Sequence, residues 1–96
     1  MTHAKQKCKT FDEIKPTIDS LVLSIKMDVL KRSEAEWFVG LTDNEKNPLN
    51  SNHFFYCCSI EDAKNLKEYI LGTFKKLSIG EDHGTNQTIV YIIAEY

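Results

Sequence analysis

The chain is 96 residues long, 42% hydrophobic, and carries a formal net charge of −2. These values suit one folded domain with a modest core and exclude both a disordered chain and a pair of independently cored domains. Lys and Arg number 12 against 14 Asp and Glu, so the domain as a whole offers no basic footprint for nucleic acid, although local patches stay open.

No stretch approaches the ~20 apolar residues of a membrane span, and no apolar segment follows the charged N-terminus, so the expectation is a cytoplasmic protein. Cys8, Cys57 and Cys58 are an odd set. Neighbouring cysteines rarely bridge each other, and reduced thiols are therefore expected.

Residues 1–9 read as a flexible basic tail in which Lys5, Lys7 and Lys9 alternate with uncharged residues, and residues 10–96 as a single domain. Thr10 and Glu13 form a Thr-x-x-Glu capping box, and Phe11, Ile14, Ile18, Leu21, Val22, Ile25, Val29 and Leu30 recur at helical spacing, predicting a helix to about Arg32. Pro16 fits such a helix only in its first turn, which would move the regular start toward Lys15.

Glu36 to Thr42 predicts a strand, Asp43 to Asn52 a polar loop containing Pro48, and His53 to Cys58 a second strand. Ser59 and Asp62 open a second helix that runs to about Lys76. Ser78 to Asn86, with Gly80 and Gly84, reads as a loop. Gln87 to Tyr96 is apolar at successive positions and predicts a strand covered on both faces over Ile89 to Ile93. The fold class is therefore α+β, a small three-stranded, mainly antiparallel sheet with two helices in the order αββαβ.

The chemistry-bearing residues point to few active constellations. There is no Cys-x-x-Cys, no His-x-x-x-His, no calcium loop, and no phosphate-binding glycine pattern, so neither a metal nor a cofactor is expected. Glu81-Asp82-His83, between two glycines, reads as a solvated turn. His53 and Cys57 share a strand face but lie roughly 13 Å apart at about 3.3 Å per residue, too far for a catalytic dyad. Cys57 and Cys58 read as buried structural cysteines. Phe54, Phe55 and Tyr56 invite base stacking, but Phe54 and Phe55 face opposite ways and no basic run flanks them, which favours core packing.

The stretch Trp37-Phe38-Val39-Gly40-Leu41-Thr42-Asp43, then Leu49, the aromatic strand, and Ala63-Lys64-Asn65-Leu66-Lys67-Glu68-Tyr69-Ile70 looks like the second half of a GIY-YIG nuclease domain. It is similar in particular to small stand-alone bacterial proteins of that kind, and the resemblance spans roughly residues 36–71. In that family a Tyr, an Arg and a metal-binding Glu carry phosphodiester hydrolysis. By position these fall on Phe38, on Asn47 or Pro48, and on Lys67, with Glu68 one position away. The resemblance thus implies the scaffold with its catalytic set replaced. The first family motif is missing before Trp37, while Thr88 to Ile93 resembles it in a permuted place.

The sequence therefore favours a non-catalytic protein-interaction module that self-associates or binds a protein partner. Trp37 and Tyr56 are candidate anchors, with core packing the alternative for both. Phe38, Tyr91, Lys67 and Glu68 complete the candidate binding residues. The contrasting reading is a nucleic-acid-binding degenerate nuclease domain, or an active one that uses Tyr91, Lys67 and Glu68 in a rearranged site. An inhibitor encoded by a mobile element is a third reading, compatible with the small size.

Overall fold

The computed structural model describes residues 8–43 and 51–96. Its elements are α1 (Phe11–Lys31), β1 (Glu36–Thr42), β2 (His53–Tyr56), α2 (Ile60–Thr73), β3 (Leu77–Ile79) and β4 (Ile89–Glu95). The α+β class is as expected from the sequence.

The helix starts form where the capping residues place them. The Thr10 side chain accepts from Glu13 N at 3.3 Å, and Glu13 Oε1 accepts from Thr10 N at 2.9 Å, which closes the capping box. The Thr10 hydrogen bonds hold the Glu13 carboxyl below its usual range. Pro16 sits inside α1, not in its first turn, so the helix starts at Phe11. The carbonyl that Pro16 leaves without an intrahelical N–H is that of exposed Asp12, where solvent can satisfy it. Ser59 caps α2, accepting from Asp62 N at 3.0 Å. Asp62 also accepts from Phe11 N at 3.0 Å, so one carboxylate ties the first turns of both helices together.

The sheet has four strands in the order β2-β4-β1-β3, with β1/β4 and β4/β2 antiparallel and β1/β3 parallel. The expected three-stranded sheet in the order αββαβ is corrected by β3. Its residues Leu77–Ile79 fall where the sequence suggested the end of a helix and the start of a loop. A strand this short carries no periodic signal, and it forms because Trp37, Phe38 and Val39 of β1 offer it an edge. For the same reason α2 stops at Thr73, and Phe74 turns extended and buries its ring.

Alternation along the strands sends Trp37, Val39, Leu41, Phe55, Val90 and Ile92 to one face. There they meet Ile14, Ile18, Ile25 and Val29 of α1, and Ala63, Leu66, Ile70 and Phe74 of α2. Burying each large aliphatic side chain contributes about 1.5–3 kcal/mol. Both helices lie on this face, and His53 Nε2 meets Asp28 Oδ2 of α1 at 2.9 Å beside it.

The N-terminal segment corrects the tail and the thiols. Residues 1–7 of the expected flexible tail lie outside the described residues, as do Asn47, Pro48 and Leu49. Lys9, however, is anchored: its N–H donates to Tyr56 O at 3.2 Å and its carbonyl accepts from Cys58 N at 3.0 Å. This pairing carries Cys8 to Cys58, Cα–Cα 4.7 Å, and the two are joined in a disulfide. The expectation of reduced thiols and of a buried Cys58 fails because a cysteine 50 positions away in sequence is brought alongside by backbone pairing. Cys57 remains a free, buried thiol. Closing so long a loop restricts the unfolded chain by about 4 kcal/mol in the chain-entropy account. Replacing both Cys8 and Cys58 by Ser is expected to lower unfolding free energy by about 2–4 kcal/mol in urea titration, and adding reductant to the native protein is expected to reproduce that loss.

Candidate functional site

The sheet face away from the helices carries Phe38 and Gly40 of β1, Phe54 and Tyr56 of β2, and Ile89, Tyr91 and Ile93 of β4. Phe54 is 40% exposed, and Phe38, Tyr56 and Ile93 are half-buried. The Phe54 and Tyr56 rings meet edge to face with centroids 5.6 Å apart.

Part of this face is roofed by the segment after β3. Gly80 N donates to Val39 O at 2.7 Å and His83 N to Leu41 O at 2.8 Å, so the segment follows the edge of β1. Asp82 Oδ1 accepts from Leu41 N at 3.0 Å and from Lys67 Nζ at 3.3 Å. Tyr91 OH donates to Glu81 O, and the His83 and Tyr91 rings lie 6.2 Å apart.

Tyr91 is able to lie across the sheet because its cross-strand partner is Gly40. A Cβ at position 40 would come within 2.5 Å of both Glu81 O and Tyr91 Oη. Gly84 closes the roof at φ +84°, in the left-handed region, with the Asp43 carboxylate against it.

Between this roof and the far ends of β1 and β4 is a depression of about 630 Å³, lined by Phe38, Ile79, Glu81, Tyr91, Ile93 and Glu95 among others. Its rim is acidic. Glu36 and Glu95 are direct cross-strand partners, a placement in which like charges repel, and neither pairs with a described cation. Burial, followed by the charges of Asp82, Glu81 and Glu95, pushes the Tyr91 phenol up to about 12. At neutral pH it is a protonated hydrogen-bond donor committed to Glu81 O, and so a poor base or nucleophile.

The residues singled out from sequence are scattered. Trp37 is buried on the helix face, its Nε1 donating to Arg32 O at 3.2 Å, and faces the core. Tyr56, Phe38 and Tyr91 share the open face. Lys67 and Glu68 lie on α2, on the other side of the sheet from Tyr91, with Lys67 paired to Asp82 and Glu68 exposed. Burial pushes the Cys57 thiol up to about 12, which keeps it protonated. No group of three or more His, Cys, Asp or Glu side chains among the described residues could hold a metal ion. No helix among them is long and apolar enough to cross a membrane.

Sequence reasoning missed Glu36, Glu95, Ile93 and the Glu81–His83 roof. The pairing of Glu36 with Glu95 depends on strand register. Glu81-Asp82-His83 was visible as a motif, but a solvated turn and a roof share the same composition.

Gly40→Ala is expected to cost about 1–3 kcal/mol in thermal or urea unfolding, because the added Cβ would overlap the backbone carbonyl of Glu81 and the Tyr91 ring and force both to shift. The raised Cys57 and Tyr91 groups favour their neutral forms in the fold. Their stabilisation is complete below pH 9.0, the ordinary value of the thiol, and is lost as pH climbs toward about 12. Urea midpoints measured from pH 8 upward should fall across that window, and the fall should shrink in Cys57→Ala. Comparison with known protein families, curated proteins and solved structures finds no match to this chain.

Proposed function

We propose that this protein is a non-catalytic protein-interaction module, and that it docks its partner through the open face of the sheet. The observation that carries this reading is the juxtaposition on one face of an apolar and aromatic surface, Phe38, Phe54, Tyr56 and Ile93, with the facing carboxylates Glu36 and Glu95. Like charges placed opposite each other cost stability in the free protein, and a cation from a partner relieves that cost. The Phe38 ring beside them adds an aromatic surface on which a Lys or Arg side chain can lie. The partner is therefore a protein segment bearing basic and apolar side chains.

The resemblance to a GIY-YIG scaffold belongs to the same proposal. Its support is that β1, with Phe38-Val39-Gly40, lies beside β4, which holds Ile89 to Ile93 of the permuted motif, as a permuted form of that pair would require. On that scaffold Phe38 and Lys67 replace the family's Tyr and Glu, which agrees with a binding role. The nucleic-acid reading is less favoured, because Glu36, Glu81 and Glu95 stand around Phe38 and Ile93 with the wrong charge for phosphate. The Cys8–Cys58 bond weighs against the cytoplasmic location expected from sequence, since persistent disulfides belong to oxidising compartments.

Glu95→Gln separates stability from binding. In the free protein it is expected to raise unfolding free energy by about 0.2–1 kcal/mol. It should also weaken, several-fold, the binding of a short peptide of alternating Lys and Val, read by chemical-shift perturbation at Phe54, Tyr56 and Ile93. Light-scattering mass over a concentration series reports whether a second copy occupies the same face, in which case Phe54→Glu should return the protein to monomer. A salt-sensitive complex with a mixed DNA and RNA pool, and no peptide binding, would replace this reading with the nucleic-acid one.

A further inference from the structure

α1 carries two apolar stripes. Ile14, Ile18, Ile25 and Val29 face the core, as an amphipathic helix requires. Opposite them, Leu23, Met27 and Leu30 recur at spacings of four and three, which stacks them along a second line. They are 73%, 48% and 63% exposed. None of the three belongs to the core cluster.

Leu30 is also one wall of a groove of about 450 Å³ between the C-terminal half of α1 and the segment that leads from the end of α2 into β3. Val29, Phe74 and Leu77 form its apolar lining, and Lys26, Lys75 and Lys76 surround it. No carboxylate lines the groove, and none of these lysines forms an ion pair with a described residue. The groove and the stripe are continuous through Lys26 and Leu30. Together they form a surface with apolar anchoring points along a helix and a positive border.

We propose that this surface holds an acidic amphipathic helix of a partner protein. A line of apolar side chains running along α1 into a groove beside α2 offers the holes that residues at i, i+3, i+4 and i+7 of a docked helix fill. Lysines on the border, lacking acids of their own, select carboxylates on the flanks of that helix. α1 is about 31 Å long at 1.5 Å per residue, so its C-terminal half supports roughly three turns of a partner. This site lies on the helix side of the molecule and is positive, whereas the open sheet face has an acidic rim. The inference is therefore independent of the function proposed above.

The test is fluorescence anisotropy with a labelled short peptide that carries leucines on one helical face and glutamates on the other. Saturable binding that weakens with salt is expected. It should fall by about tenfold or more in the double variant Lys75→Glu, Lys76→Glu and in Leu30→Ser, and stay unchanged in Glu95→Gln. All of the substituted side chains are exposed, and circular dichroism would confirm that each variant keeps its fold. The same peptide with lysines in place of glutamates should show no binding that Lys75→Glu, Lys76→Glu or Leu30→Ser weakens; what binding it has belongs to the acidic-rimmed sheet face and should fall in Glu95→Gln.

Indifference of the acidic peptide to the lysine reversals, indifference to Leu30→Ser, or no binding of the acidic peptide would each overturn the proposal. Preference for phosphatidylglycerol vesicles over the peptide would overturn it in favour of a lipid surface. A concentration-dependent dimer abolished by Lys75→Glu, Lys76→Glu would assign the groove to a second copy.

Discussion

The pairing of β4 between β1 and β2 is the constraint on which the rest of the molecule depends. Residues 89–95 meet residues 36–42 along the whole length of both strands, and β2 then takes the other edge of β4. Without this strand between them β1 and β2 cannot share a sheet, because they do not pair with each other. Its contacts are non-local, so the loop-closure cost precedes the gain from burial. The apolar run Ile89 to Ile92, buried on both sides, offsets that cost.

The second organising point is the junction where Asp62 accepts from Phe11 N, Lys9 bridges Tyr56 and Cys58, and Cys8 bonds Cys58. A capped start of α1, the end of β2 and the start of α2 are thereby fixed within one small region. With α1 held there at one end and by Asp28 against His53 toward the other, both helices are committed to a single face of the sheet. The other face is roofed only in part, by the Gly80–His83 segment over Tyr91.

This one-sided covering gives the molecule two unlike surfaces. The open sheet face combines aromatic side chains with carboxylates forced opposite each other by register, and the cationic partner proposed above rests on that pairing. The helix face combines a surplus apolar stripe with lysines. Large exposed apolar groups beside unpaired charge of one sign are the composition of a docking surface more than of a solvated one. Burial keeps Cys57 and Tyr91 protonated, and Lys67 is paired with Asp82.

By itself the sequence determined the local elements. Both helix starts follow from side chains that satisfy free N–H groups within a few residues, Thr10 with Glu13 and Ser59 with Asp62. The bounds of β1 follow from its branched and aromatic run, and the double burial of β4 from its unbroken apolar sequence. Each of these signals acts over distances shorter than the element it specifies.

Tertiary structure decided everything that depends on which distant segments meet. β3 exists because β1 has an edge to offer, Cys8 finds Cys58 because Lys9 pairs beside it, and Trp37 turns to the core because both helices lie on its side. The candidate site is of the same kind. Glu36 and Glu95 become a repelling pair, and Gly40 a cradle for Tyr91, only through the β1–β4 register, and a shift of β4 by one residue would send Tyr91 and Glu95 to the opposite face.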